Sequence, residues 1–453
     1  MPNRITALVS YSALTLAAAS CSSNDPGGPG GSNAVDISYM AWYNTPSETE
    51  STQGTLDAFN ESQSDVRVNL ISASRSVYED KLNDRSDSNS LPDTAMMPES
   101  QVISWALAGK LADLSDLYQD EQPLSQLAFR YQGRTVSYSE ANEVLIVYYS
   151  RKAFDDANLP YPPSRAEDAW TWDQFVAVAK QLTKDENGLT AADDGFDPDK
   201  IVSYGADFNR ASWMWPVMAV SNGGGVVSED GRTLLLGSAE TAEAAQAIAD
   251  LQHVHHVAES VEDFGNDSQT LDQQLISGRF GMVVSGQWEL AVSINRSVAD
   301  HPDYYGVAVL PKWKHAVTYN TGGTNVMFNT TKRPGSAKAF IKWYAEEENN
   351  IANIQSGLWM PILEKWYKDE SLIRLWADNP EHPPLEEYRG AVIDYAFNNA
   401  KPVPWYYVPN YDKIDAIIAE GMKPVWDGTK TAAEALSDDI VPQVQVIFDA
   451  DRQ

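Results

Sequence analysis

The chain holds one cysteine, Cys21, in 453 residues. No disulfide can form within it, so packing alone must hold the fold. Histidine is scarce too, with six. His253, His255 and His256 fall close together, but the i, i+4 spacing that sets two imidazoles on one metal is absent, and no HExxH occurs. The acidic fragments Asp185-Glu186-Asn187-Gly188 and Asp193-Asp194 have their glycine in the wrong place for an EF-hand loop, and no Glu closes them. Neither a metal nor a cofactor is expected. Gly223-Gly224-Gly225 is followed by no Lys-Ser/Thr pair, so it is not a phosphate loop, and no GxSxG turn is present. Basic residues are the scarcer sign: 33 Lys and Arg stand against 64 Asp and Glu, a formal net charge of −31. Such a chain repels nucleic acid and anionic ligands. It shows no repeat of fixed period and, past its N-terminus, no apolar run that reads as a membrane span.

What is present begins at the N-terminus. Arg4 precedes an uncharged apolar stretch, Ile5–Ala19, and Ala18-Ala19-Ser20 leads into Cys21. A basic start, a short apolar core and a small-residue processing site have the shape of a secretory signal. The cysteine at that junction resembles the bacterial lipoprotein signal, in which the thiol carries lipid. Residues 1–21 are therefore expected to be a lipoprotein signal, with Cys21 lipidated. The alternative is an ordinary signal peptide with a chance cysteine. The Gly/Pro-rich segment Ser22–Asn33 cannot build a core and is expected to be a flexible tether. The body then lies outside the cytoplasm, on the outer face of the cell membrane, held there by lipid alone.

Length allows two or three domains. Val35–Asn44 alternates as a strand does, Glu48–Ser62 reads as a helix, and Val66–Ser72 is a second strand. Leu91–Met97 reads as a third, short strand before a helix from Ile103. Glu143–Ser150, Phe280–Ser285, Tyr305–Leu310 and Thr324–Asn329 are further apolar strands. Trp172–Thr183 carries apolar residues at helical spacing, with Thr171 and Asp173 suited to its start. Ala239–Val257 and Ser336–Glu347 read as helices, and Lys184–Lys200 as a surface loop. Strands alternating with helices predict an α/β fold with parallel pairing.

Five segments in order make a resemblance specific: ISYMAWYNTPSETE, Pro92-Asp93 before a short strand, YSEANEVLIVYYSRKAFDDANLP, ISGRFGMVVSGQWEL, and YGVAVLPKWK followed by Gly322-Gly323-Thr324-Asn325. This series is similar to the extracytoplasmic sugar-binding proteins of ABC importers, the group that includes maltose-binding protein, over roughly residues 35 to 365. The resemblance implies a periplasmic-binding-protein-like fold, in which two α/β lobes, each a central sheet flanked by helices, enclose a ligand cleft. Residues 34–142 would form the first part of lobe 1, 143–320 the first part of lobe 2, and 321–370 the return to lobe 1. Residues 371–453 would add a helical region mainly on lobe 2. Crossings are expected near Ser139–Glu143 and Tyr319–Asn325, with a third past Trp359.

Sugars present apolar C–H faces and many hydroxyls, so they need flat aromatic rings and convergent polar groups. Trp288 occupies the position at which the family stacks an aromatic on its ligand. Trp42 and Trp213 are expected as further platforms, with Trp359 and Tyr406 as weaker candidates, whereas Trp170, Trp172, Trp343 and Trp376 are expected in the core. Asn44 follows the first strand beside Trp42. Glu99 and Ser100 follow the third, at the carboxyl end where open α/β sheets take their ligands. Glu143 matches a carboxylate that meets sugar hydroxyls in some relatives, with Glu140 as the competing choice. The backbone at Gly323 and Thr324 could approach a ligand closely. The family's aromatic beyond the third strand is Met97 here, which argues against maltose itself.

The expected function is capture of an oligosaccharide by hinge closure and its delivery to the permease subunits of an ABC transporter, by a monomer without catalysis. A secreted glycoside hydrolase would use the same residue types, two carboxylates flanking a sugar. A peptide or polyamine binder is the third class, and polyamines would suit the acidic charge.

Overall fold

The structure is a computed structural model that describes residues 34–260 and 269–450. The expected signal, Cys21 and the expected tether lie outside the described residues. Among the described residues thirteen strands form two mixed sheets. They are β1 (Val35–Tyr43), β2 (Val66–Ser74), β3 (Thr94–Met96), β4 (Ala128–Tyr131), β5 (Arg134–Ser139), β6 (Glu143–Ser150) and β7 (Lys184–Asp185). Then come β8 (Ile201–Phe208), β9 (Phe280–Gly286), β10 (Tyr305–Ala308), β11 (Thr318–Thr321), β12 (Thr324–Met327) and β13 (Ala400–Pro402). The first sheet has the order β2-β1-β3-β12-β5-β4. The second runs β13-β11-β6-β9-β8-β7, and β10 joins β6 as well.

Apolar patterning decides which strands are central. β6 is a run of apolar residues with all but Glu143 buried, as a strand covered on both faces must be. It pairs antiparallel with β9 on one side and with β10 and β11 on the other. β1 opens with exposed Val35 and Asp36 and then buries Ile37 and Tyr39 through Ala41. It pairs in parallel with both β2 and β3.

Helices cover the faces. Trp172–Leu182 begins with a capping box: Thr171 Oγ1 accepts from the Gln174 N–H, and Gln174 Oε1 accepts from the Thr171 N–H. Trp172, Phe175, Val176, Ala179 and Leu182 form its buried face. The segment read as a surface loop after it opens instead with β7. Its Asp185 is buried, and the carboxylate accepts from the N–H groups of Asn187, Leu189 and Asp197. That carboxylate is spent on shaping the turn.

The chain passes between the sheets at three places. Glu140–Asn142 link β5 to β6, and Gly322-Gly323 link β11 to β12. The two crossings are tied, since the Glu140 N–H donates to the Gly323 carbonyl at 2.8 Å. A third segment runs antiparallel beside the first: Asn142 and Met360 exchange N–H···O bonds of 3.0 and 2.9 Å. Beyond it the chain adds β13 to the second sheet. The long helix Tyr411–Trp426 then packs against helix Glu99–Leu107 of the first lobe and helix Ala239–His253 of the second.

Candidate functional site

Strand direction sets the site. β5 ends and β12 begins at the crossings, so the antiparallel β3 and its parallel neighbour β1 also end there. In the second sheet β6 begins at the crossings, so β9 and its parallel neighbour β8 end there. The carboxyl ends of β1 and β3 in one sheet and of β8 and β9 in the other thus converge on one cleft, the place where open α/β sheets hold ligands.

Three glutamates meet in it. Glu99 starts the helix after β3, Glu140 lies in the first crossing, and Glu143 opens β6. Glu140 is buried, and Asn325 Nδ2 donates to its carboxylate while the Tyr39 hydroxyl donates to Asn325 Oδ1 at 2.8 Å. Gly323 packs directly on it, and a Cβ there would lie 2.3 Å from Glu140 Oε1. Glu140 therefore fastens the crossing. Glu99 and Glu143 are half-buried, and Thr321, opposite Glu143 in the β11–β6 pairing, sets its hydroxyl 3.4 Å from Glu99 Oε1. Burial pushes the Glu99 carboxyl up to about 7. Burial and then the neighbouring Glu99 charge push Glu140 to about 8, and Glu143, which also feels Glu140, to about 8. A protonated carboxyl donates as well as accepts.

An aromatic wall adjoins the carboxyls. Trp288 stands in the turn after β9, two residues past Gly286, which pairs with Leu145 of β6. Gln287, fully buried, anchors that turn by donating from Nε2 to the carbonyls of Gly357 and Leu358 beside the third crossing. The Trp288 ring is 6.3 Å from Trp213, and Trp213 is 5.5 Å from Trp405. Trp213 and Trp288 are half-buried, and Trp405 is buried behind them.

The remaining candidates are placed variously. Trp42 is half-buried at the end of β1, with the Arg75 guanidinium over its ring at 5.1 Å and Tyr78 against its edge. Asn44 is exposed, its N–H and Nδ2 both donating to Glu48. Ser100 is half-buried beside Glu99. The Thr324 side chain is buried within the sheet, bonded to Ser137 and to the Tyr138 carbonyl. Tyr406 is buried too: its ring stacks on Phe129 at 4.2 Å and its hydroxyl meets Ser139 Oγ at 2.7 Å. Only its hydroxyl comes near the glutamates. Trp359 is half-buried against the second apolar cluster. Met97 is fully buried and belongs to the core. Sequence reasoning picks Tyr406 over its neighbour Trp405; three adjacent aromatics between prolines, Trp405, Tyr406 and Tyr407, give no periodicity to tell them apart. Among the described residues no group of His, Cys, Asp and Glu is arranged to hold a metal ion, and no helix is long and apolar enough to cross a membrane.

The comparisons agree with this geometry. An ABC substrate-binding protein from Listeria monocytogenes in complex with cycloalternan superposes with a TM-score of 0.70 at 20% identity, covering 91% of this chain and 99% of that one. The cyclic alpha-maltosyl-1,6-maltose binding protein of Arthrobacter globiformis gives 0.68 at 20% identity, over 92% and 100%. The sugar-binding protein MalE of Xanthomonas citri gives 0.73 at 14%, over 92% and 98%. These likenesses establish the two-lobed fold. A curated relative, an uncharacterized lipoprotein in the oleD 5′ region of Streptomyces antibioticus, is 28% identical over 191 residues. That match spans 40% of this chain and 40% of the relative's own length. The family model for bacterial extracellular solute-binding proteins matches residues 55–384, most of the described body. The chain belongs to the bacterial extracellular solute-binding protein family, and is a binding protein, not an enzyme.

Proposed function

We propose that this protein captures an oligosaccharide in the cleft between its lobes, closes over it by bending at the three crossings, and presents it to the permease of an ABC importer. It works as a monomer, tethered by lipid on Cys21 to the outer face of the membrane. The observation that carries this reading is the convergence, at four strand ends, of Glu99 and Glu143 with the Trp213–Trp288–Trp405 wall. Aromatic faces take the apolar sides of sugar rings and carboxyls take the hydroxyls. The structural neighbours described as holding cycloalternan, as binding cyclic alpha-maltosyl-1,6-maltose and as sugar-binding point the same way. Closure is supported by the crossings: short, mutually hydrogen-bonded segments that join two separate sheets are where hinge motion concentrates.

A thermal-shift screen against neutral mono- and oligosaccharides tests the proposal. A ligand that binds only the folded state raises the melting point, by about 2.7 kcal/mol of stability at a hundred times Kd. A shift with one family of sugars that disappears in Trp288→Ala supports it. Shifts confined to peptides or polyamines overturn it.

A further inference from the structure

We propose that the preferred ligand carries a basic nitrogen, an amino sugar or an oligosaccharide bearing one, whose ammonium is held between Glu99 and Glu143. This rests on the sugar-binding reading above and narrows it.

The first argument is charge. Glu140, in the crossing, sits in the electrostatic field of Glu99, on the first lobe, and Glu143, on the second, in the fields of both. The charged group that offsets any of them is Arg75, which acts on Glu99 alone. Arg75 is itself committed, paired with Glu79 at 2.7 Å. Among the described residues no cation offsets Glu143 or Glu140. An ammonium between the lobes would supply the missing countercharge, let the carboxyls ionise against it, and join the two lobes in the same step. A neutral sugar leaves the carboxyls protonated.

The second argument is the polarity of the lining. Glu99 and Glu143, once ionised, only accept hydrogen bonds. Asn320 is fully buried and reaches the Tyr406 hydroxyl, which lies beside both glutamates. Its Nδ2 donates to the Gln126 carbonyl at 3.3 Å, and its Oδ1 has no hydrogen-bond partner. An acceptor-rich lining fits a group that only donates, and an ammonium has donors and no acceptor.

The third argument is that the cleft already takes a cation on an aromatic face. The Arg75 guanidinium lies 5.1 Å over Trp42, at the end of the strand next to the one that leads into Glu99. On the opposite lobe Trp213 and Trp288 offer the same kind of face, to which a cation is attracted by the ring quadrupole.

The test is isothermal titration of the purified protein with matched sets: glucosamine, glucose and N-acetylglucosamine; galactosamine and its two counterparts; deacetylated chitobiose, cellobiose and diacetylchitobiose. Measurements at pH 6.5 keep the amine charged. The inference predicts that in at least one set the amine binds about tenfold or more tightly than both neutral members. That preference should shrink in 0.5 M salt. It should collapse in Glu143→Gln and in Glu99→Gln, with each variant's ligand-free melting point confirming its fold. Neutral members binding as tightly as the amines overturn the inference and leave the sugar reading standing. Binding of spermidine with silence from every sugar overturns both. Silence from every amine, with a neutral sugar found in the thermal screen, overturns the inference alone.

Discussion

The Trp288 ring rests on the backbone of Gly286: a Cβ at position 286 would come within 2.2 Å of three ring atoms. No side chain can be added there without moving the ring. Gly286→Ala is therefore expected to displace Trp288 and lower ligand affinity about tenfold or more, at an overpacking cost of about 1–3 kcal/mol. Titration and tryptophan fluorescence of the variant check this. Unchanged affinity would show that the ring in this position is not the platform.

The three cleft carboxyls predict how stability varies with pH. Their folded-state values, about 7, 8 and 8, lie above the ordinary carboxylate value of 4.5. Between pH 4.5 and 8 the unfolded chain ionises these groups while the fold keeps them protonated, so the folded state binds more protons. These groups therefore weaken the fold as pH rises through that window. Without ligand, the melting point measured at pH 5.5 should exceed that at pH 8.5, and Glu140→Gln should flatten the difference.

Asn325 holds two buried groups at once, accepting from Tyr39 and donating to Glu140. Asn325→Ala strands both. Leaving a buried polar group without its partner costs about 1–3 kcal/mol, more for a charged one. Chemical denaturation should show a loss of at least about 2 kcal/mol, steeper at pH 8.5, where the unpaired carboxyl ionises.

The Thr171 cap lies on the second lobe, away from the crossings. Thr171→Ala should cost about 1 kcal/mol of stability and leave sugar affinity unchanged. An affinity change in this variant would show that the lobe's packing, rather than the cleft side chains, limits binding.

Cys21→Ala should abolish incorporation of a labelled fatty acid and release the protein from the membrane fraction into the medium. Retention of the label in the variant would refute lipidation at Cys21.

Much of the fold is legible in local sequence. The β6 run, the alternation of β1 and the Thr171 cap each declare an element without help from elsewhere. Strands β4, β5, β8 and β13 do not. β8 is interrupted by Gly205, where a Cβ would meet the Ala179 carbonyl oxygen at 1.8 Å. The glycine is there for a helix packed close above it, and close packing leaves no periodic trace. β13 is three residues ending in proline and exists only because β11 lies beside it. The site divides in the same way. Trp288 is legible because it directly follows a buried strand within a segment of family-like wording. The trio it forms with Trp213 and Trp405 is not, since those rings come from distant parts of the chain and meet only after folding. Glu140 and Glu143 are equally acidic in sequence; burial and the Asn325 bond separate the fastener from the group left facing the cleft.

The place of β12 has a consequence for how this protein is made. It lies in the middle of the first sheet, between β3 and β5, yet it comes from residues 324–327. Until that segment has been synthesised, the N-terminal part of the chain holds two half-sheets with a gap of one strand between them. A nascent chain in that condition cannot close its first lobe ahead of the second. The first lobe therefore stays open until about three quarters of the chain has emerged, and its two half-sheets become one only when residues 324–327 arrive.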